Sequence, residues 1–166
     1  MQLSEVLTLF DYNYWANRHI LSATARTSLE QFTTPVHLSH SSLRGTLVHC
    51  LSAEVLWRLR CQTGLSLSSM LSETDLATFE MLCLRWDEEE QTMRAYLGSL
   101  SDGDLQRTIH YTNTRGTAYN NPLWQILLHL VNHGTQCRSE AGLALTELGF
   151  SPGDIDLIYY LRQEQK

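Results

Sequence analysis

No two basic residues stand side by side in this chain, whose 12 Lys and Arg are scattered among 18 Asp and Glu for a formal charge of -6. A protein that neutralises a phosphate backbone carries a basic stripe, so no nucleic-acid partner is expected. No segment approaches the roughly 18 uninterrupted apolar residues of a bilayer span, so no membrane partner is expected either. The opening MQLSEVLTLFDYNYWAN places two acids before any base, the reverse of a secretory leader, and the expected location is the cytoplasm. A Gly-rich phosphate loop, a GxSxG turn, a CxxC pair and an internal repeat are also missing, which leaves several common enzyme classes without motif support. The four cysteines, Cys50, Cys61, Cys83 and Cys137, each lie in an apolar helix-like stretch and not in a loop-rich framework. Reduced thiols are expected, with Cys50, Cys61 and Cys83 as small buried side chains.

What is present suits one packed unit. The 166 residues are 43% hydrophobic, with four Trp, seven Tyr and four Phe, enough for a single domain over 1–166 around one core. Apolar residues spaced by three and four predict a helix from Leu3 to Ala25 and a second from about Ser42 to Gln62, stopped by Gly64. A third is expected from about Leu76 to Leu100, capped by Thr74 or Asp75, with the acidic run at 87–90 mostly solvated. β-branched and aromatic residues flanking Asn113 to Gly116 predict a short hairpin or an extended loop. Pro122 then opens a fourth helix, with Asn121 as its cap, that runs to Leu148 and ends at Gly149; a last short helix follows Pro152. The stretch 27–40 reads as a connector. Long amphipathic segments with barely any strand predict an all-α fold, a four-helix bundle.

The candidate chemistry lies in HLVNHGTQC. His129, His133 and Cys137 follow one another at intervals of four, so they share one stripe of a helix. His133 and Cys137 lie with Ile126, Leu130 and Ala141, facing the core, where an unpartnered polar group costs roughly 1 to 3 kcal/mol. His49, on the second helix, can meet them from a neighbouring rod, which is how helical bundles build metal sites. Neutral imidazole and thiolate suit zinc, with nickel as another borderline ion, and three protein ligands leave a position for water or substrate. His129 and Cys137 are about 12 Å apart along the axis, too far to share one ion, so either His129 with His133 or His133 with Cys137 binds. His19, His37, His40 and His110 read as surface or structural residues. Glu54 and Arg58, four apart, read as an ion pair, and Tyr14, Trp15 and Asn17 as core or pocket lining.

The segments DYNYWANRHIL at 11–21, SSLRGTLVHCLSAEVLWRLR at 41–60 and NPLWQILLHLVNHGTQCRSEAGLALTELGFSPGDIDLIYYLR at 121–162 carry a resemblance. The chain resembles the DinB-like proteins, small metal-binding four-helix bundles related to the bacillithiol and mycothiol transferases. The resemblance implies a long crossover between the second and third helices, and a homodimer. It also implies one ligand His on the second helix and two ligands four apart on the last long helix, in a pattern close to NHxxxHRxQ. Carried over, these are His49, His133 and Cys137, followed by Arg138 and by Glu140 where Gln is frequent. Cys137 stands where the family has His, and His129 aligns with a position that is not usually the ligand and is held in reserve. Where activities are known in relatives, the metal deprotonates a low-molecular-weight thiol that attacks a small-molecule electrophile or opens an isomerising substrate. The expected function is therefore a divalent-metal protein acting as a thiol-dependent transferase. Metal-dependent hydrolysis, or a non-catalytic stress-response or binding protein with a degenerate site, are the alternatives.

Overall fold

A computed structural model describes residues 1–163. The first helix, α1 (Leu3–Thr24), starts where the Glu5 carboxylate accepts from the Gln2 amide at 2.7 Å, and it buries Val6, Phe10, Tyr14 and Ile20. A short helix, α2 (Leu29–Thr33), follows, capped by Ser28, whose hydroxyl accepts from the Gln31 amide. It lies inside the stretch expected to be a connector; five residues are too few to display a helical period. The third, α3 (Leu43–Thr63), begins at Ser42, whose hydroxyl accepts from the Gly45 amide at 2.9 Å. It stops at Gly64 with φ 74°, the left-handed conformation that glycine adopts without strain.

The next helix, α4 (Phe79–Gly98), starts later than its pattern suggested. Thr78, not Thr74 or Asp75, accepts from the Met81 amide, and residues 73–76 form turns before it. The hairpin is present: β1 (Thr108–Thr112) pairs antiparallel with β2 (Ala118–Pro122), and Thr108 faces Pro122. Its turn is held by the Asn113 side-chain oxygen, which accepts from the Arg115 and Thr117 amides. The longest helix, α5 (Leu123–Glu147), follows β2 directly with Pro122 at its cap position. Asn121 does not cap it; its side chain is engaged by Tyr111 and Gln125. The chain ends in α6 (Leu157–Gln163), which begins five residues beyond Pro152.

The fold is mostly helical, with one two-stranded sheet. α3 and α5 make the most extensive contact, α1 packs on α5, α4 packs on α3, and α6 rests on α1. The apolar interior has two parts. One, toward the hairpin, gathers Phe10, Met93, Leu97, Leu105 and Leu127. The other gathers Ile20, Leu47, Leu51, Leu82, Trp86, Cys137 and Leu145. Each such side chain contributes roughly 1.5 to 3 kcal/mol on burial. Among the described residues no helix is long and apolar enough to cross a membrane.

Close approach between helices has a sequence cause. A Cβ on Gly134 would sit 2.7 Å from the Asn13 side-chain oxygen, so only glycine lets α1 and α5 meet at this level. Here Arg138, buried on α5, donates to the side-chain oxygens of Asn13 and Asn17 and fixes the rotation of α5 against α1.

Candidate metal centre

Rotation of α5 decides which of its histidines faces α3. With Arg138 locked onto α1, His133 and Cys137 turn toward α3, and the His133 Nε2 lies 3.6 Å from the Cys137 sulfur. On α3, His49 presents its ring edge-on to His133, with centroids 5.0 Å apart and planes at 77°. One potential ligand atom from each of His49, His133 and Cys137 falls within 4.8 Å of the others, an arrangement that could hold a metal ion. Tetrahedral ligands at bonds of about 2.0 to 2.3 Å stand about 3.5 Å apart, so small side-chain adjustments suffice. Two imidazoles and a thiol offer three donor atoms and no fixed positive charge, a donor set that suits a borderline divalent cation.

Of the two pairs left open on α5, His133 and Cys137 belong to the group that could hold an ion. His129, one turn earlier, is exposed and outside the group; its ring lies parallel to that of His133 at 5.8 Å and edge-on to Trp57 at 5.4 Å. It forms a wall beside the centre.

Two neighbours of the centre escaped the sequence pattern. Read as a surface residue of the connector, His40 stacks on His49 with centroids 3.7 Å apart and planes at 17°. Its loop comes this close because Gly45 has no side chain: a Cβ there would lie 2.0 Å from the His40 carbonyl oxygen. Cys50 is buried in the same apolar cluster as Cys137. Its thiol, then the hydrogen bond with His133 and the charge of the two imidazoles, holds the Cys137 thiol below its usual range although burial opposes this. The Cys50 thiol is pushed up correspondingly. His133 is raised, first by its bond to Cys137, and His49 is lowered, first by burial and then by the nearby His40. For His40, adjacency in a loop gives no period to read. Cys50 follows His49 directly, so it points about 100° away around the helix and looked like plain core.

The remaining expected residues fall elsewhere. Glu54 and Arg58 do not pair: the Tyr14 hydroxyl donates to Glu54 at 2.6 Å, while Arg58 forms a two-pronged ion pair with Glu89. Position 54 faces α1 and position 58 faces α4, so their four-residue spacing is satisfied by other partners. Glu89 belongs to the acidic run expected to be solvated, yet it is 0% exposed, and Arg85 also approaches it at 3.5 Å. Tyr14 and Asn17 are core. His19 packs on Trp15, whereas His37 and His110 are exposed, as expected.

Comparison with known proteins agrees with the resemblance. The DinB family matches residues 1–166. The chain is 23% identical over 170 residues to Protein DinB of Bacillus subtilis (strain 168), covering 95% of both chains.

Proposed function

The chain belongs to the DinB family, and on that premise we propose that it is a thiol-dependent transferase in which His49, His133 and Cys137 hold a zinc or nickel ion. The observation that carries this is the convergence of those three donors from α3 and α5. A divalent ion held there lowers the pKa of a coordinated low-molecular-weight thiol, so that the thiolate becomes the attacking nucleophile on a small-molecule electrophile.

The chain's own residues prepare for that chemistry. Cys50, buried beside Cys137, favours the ionised form of that thiol. His40, stacked on His49, limits its rotation, as partners of ligating groups commonly do. On the His40 side a cavity of about 470 Å³ is lined by Ser39, Ser41, Ser52, Ser72 and Glu73 among others, a hydroxyl-rich surface suited to a hydrophilic thiol. The same reading takes the four long helices as a four-helix bundle with the crossover between α3 and α4, and the whole chain as one domain. It also takes the protein as a cytoplasmic homodimer acting on a small molecule, without nucleic-acid or membrane partners.

Purification in zinc- or nickel-supplemented buffer, followed by elemental analysis, is expected to give one ion per chain, and none in the His49→Ala, His133→Ala double variant. Conjugation of an electrophile is expected only with added thiol. Turnover without thiol would mean hydrolysis instead. A metal-free protein whose thermal midpoint ignores chelators would overturn the metal reading altogether.

A further inference from the structure

On the side of His129 away from the triad lies a second cavity of about 300 Å³, lined by Trp57, Tyr111, Asn121, Gln125, Ile126 and His129. Its walls are aromatic and fixed. Trp57 meets Tyr111 edge-on at 4.8 Å and His129 edge-on at 5.4 Å. The buried Arg60 guanidinium donates to the Thr112 carbonyl and lies over both the Trp57 and Tyr111 rings, at 4.4 and 5.1 Å, which clamps the two rings against each other.

Three polar side chains of the lining, Tyr111, Asn121 and Gln125, are paired among themselves. The Tyr111 hydroxyl donates to the Asn121 oxygen at 2.9 Å, and the Asn121 amide donates to Gln125 at 2.9 Å. No Asp, Glu, Lys or Arg lines the cavity. An ionised guest would find no counter-charge there, whereas a flat apolar guest would find ring faces and edges on several sides. The His129 ring links the two places: it lines the cavity, and its plane lies within 21° of the His133 ring with centroids 5.8 Å apart.

We propose that this cavity is the acceptor subsite, which takes the uncharged aromatic part of the small molecule and brings its reactive end past His129 to the triad. The assignment rests on the transferase reading for its purpose, but the cavity's preference for a neutral aromatic guest is a property of its walls. The hydroxyl-rich cavity on the His40 side then serves the thiol, and the two substrates reach the centre from opposite sides. The hairpin also gains a role, because β1 supplies Tyr111 and β2 supplies Asn121.

The test is calorimetric titration of the zinc-supplemented protein with three probes: 2-naphthol, its anionic analogue 2-naphthoate, and its saturated analogue decahydro-2-naphthol. 2-Naphthol is expected to saturate one site, with the other two bound about tenfold more weakly or worse. Trp57→Leu and Tyr111→Leu are expected to weaken 2-naphthol by about tenfold each, and Trp57→Phe by much less, with metal content and thermal midpoint reported for every variant. The His49→Ala variant is expected to lose metal and keep 2-naphthol. Saturable 2-naphthol binding to a wild-type protein that holds no metal would support the cavity and sink the metal reading. Absence of saturable binding, equal binding of 2-naphthoate, or indifference to both leucine substitutions in folded protein would overturn the subsite.

Discussion

Along α3, Glu54 and Arg58 each meet a partner of complementary character, the Tyr14 hydroxyl and the Glu89 carboxylate, whereas His49 meets His133 and Cys137, groups that can all act as electron-pair donors. The first region is closed. Charged and polar partners face one another within the protein, and Arg138 donates to the side-chain oxygens of Asn13 and Asn17 toward α5. The second region is open. It is half-buried, its lone pairs converge, and the Cys50 and His40 contacts adjust it without filling it. Buried polar groups are retained where they pair or where something else completes them; the contrast on a single helix separates scaffold from site.

The largest effect should come from breaking the closed region. Glu89→Ala strands the Arg58 guanidinium in the interior, and removing one partner of a buried pair costs about 3 to 5 kcal/mol. Urea unfolding should register that loss, while the Arg58→Met, Glu89→Leu double variant, which removes both charges, should recover most of it. Metal content of the folded protein should stay unchanged in both. His133→Ala should do the opposite, abolishing metal with little change in the metal-free protein's unfolding.

How much of this contrast is legible in the sequence depends on how local its causes are. The Ser42 cap, the Gly64 stop and the hairpin around Asn113 and Gly116 are set by neighbours a few residues away, and the pattern contains them. The start of α4 is not so determined, because Thr74, Asp75 and Thr78 can all cap a helix and burial of Leu82 and Trp86 decides among them. Glu89 illustrates the same limit: in a run of four acids, one must face inward if an arginine waits across the interface, and nothing in the run says which. The triad is a mixed case. Spacing alone left His129 with His133 as good a pair as His133 with Cys137; which of them gathers beside His49 follows from how Arg138 fixes α5 on α1, a contact between residues 121 and 125 positions apart.

A pH experiment sharpens the difference between a closed region and a comfortable one. Burial pushes the Glu54 carboxyl from an ordinary 4.5 up to about 7, even though the Tyr14 hydrogen bond pulls it down. A raised folded-state pKa means the folded protein holds a proton that the unfolded chain has released. Stability from this group is therefore greatest below about 4.5, falls as pH rises, and is lost above about 7, a change of about 3 kcal/mol. Glu54→Gln keeps an acceptor for Tyr14 and carries no charge, so the difference in unfolding free energy between variant and wild type should grow in the variant's favour across that window. A pH-independent difference would place Glu54 outside the closed region.

Within the open region, Cys137→His replaces the thiol of the triad with a third imidazole. Harder nitrogen replaces soft sulfur, so zinc affinity should fall by about tenfold while the variant still takes one ion per chain. Cobalt-substituted wild type should display a thiolate-to-metal charge-transfer band that the variant lacks. A band that persists in the variant would mean that another sulfur, Cys50, is the ligand.

The smallest effect is expected from Cys50→Ala. The substitution leaves His49, His133 and Cys137 in place and removes the thiol buried beside Cys137. If that thiol donates to a Cys137 thiolate, a contribution of roughly 1.5 kcal/mol is lost, so the pH midpoint of cobalt uptake should rise by about one unit. Cys50→Ser, whose hydroxyl can donate to the same sulfur, should restore most of the shift. An unmoved midpoint in Cys50→Ala would place Cys50 with the apolar core of α3 and leave the thiolate of Cys137 to the two imidazoles alone.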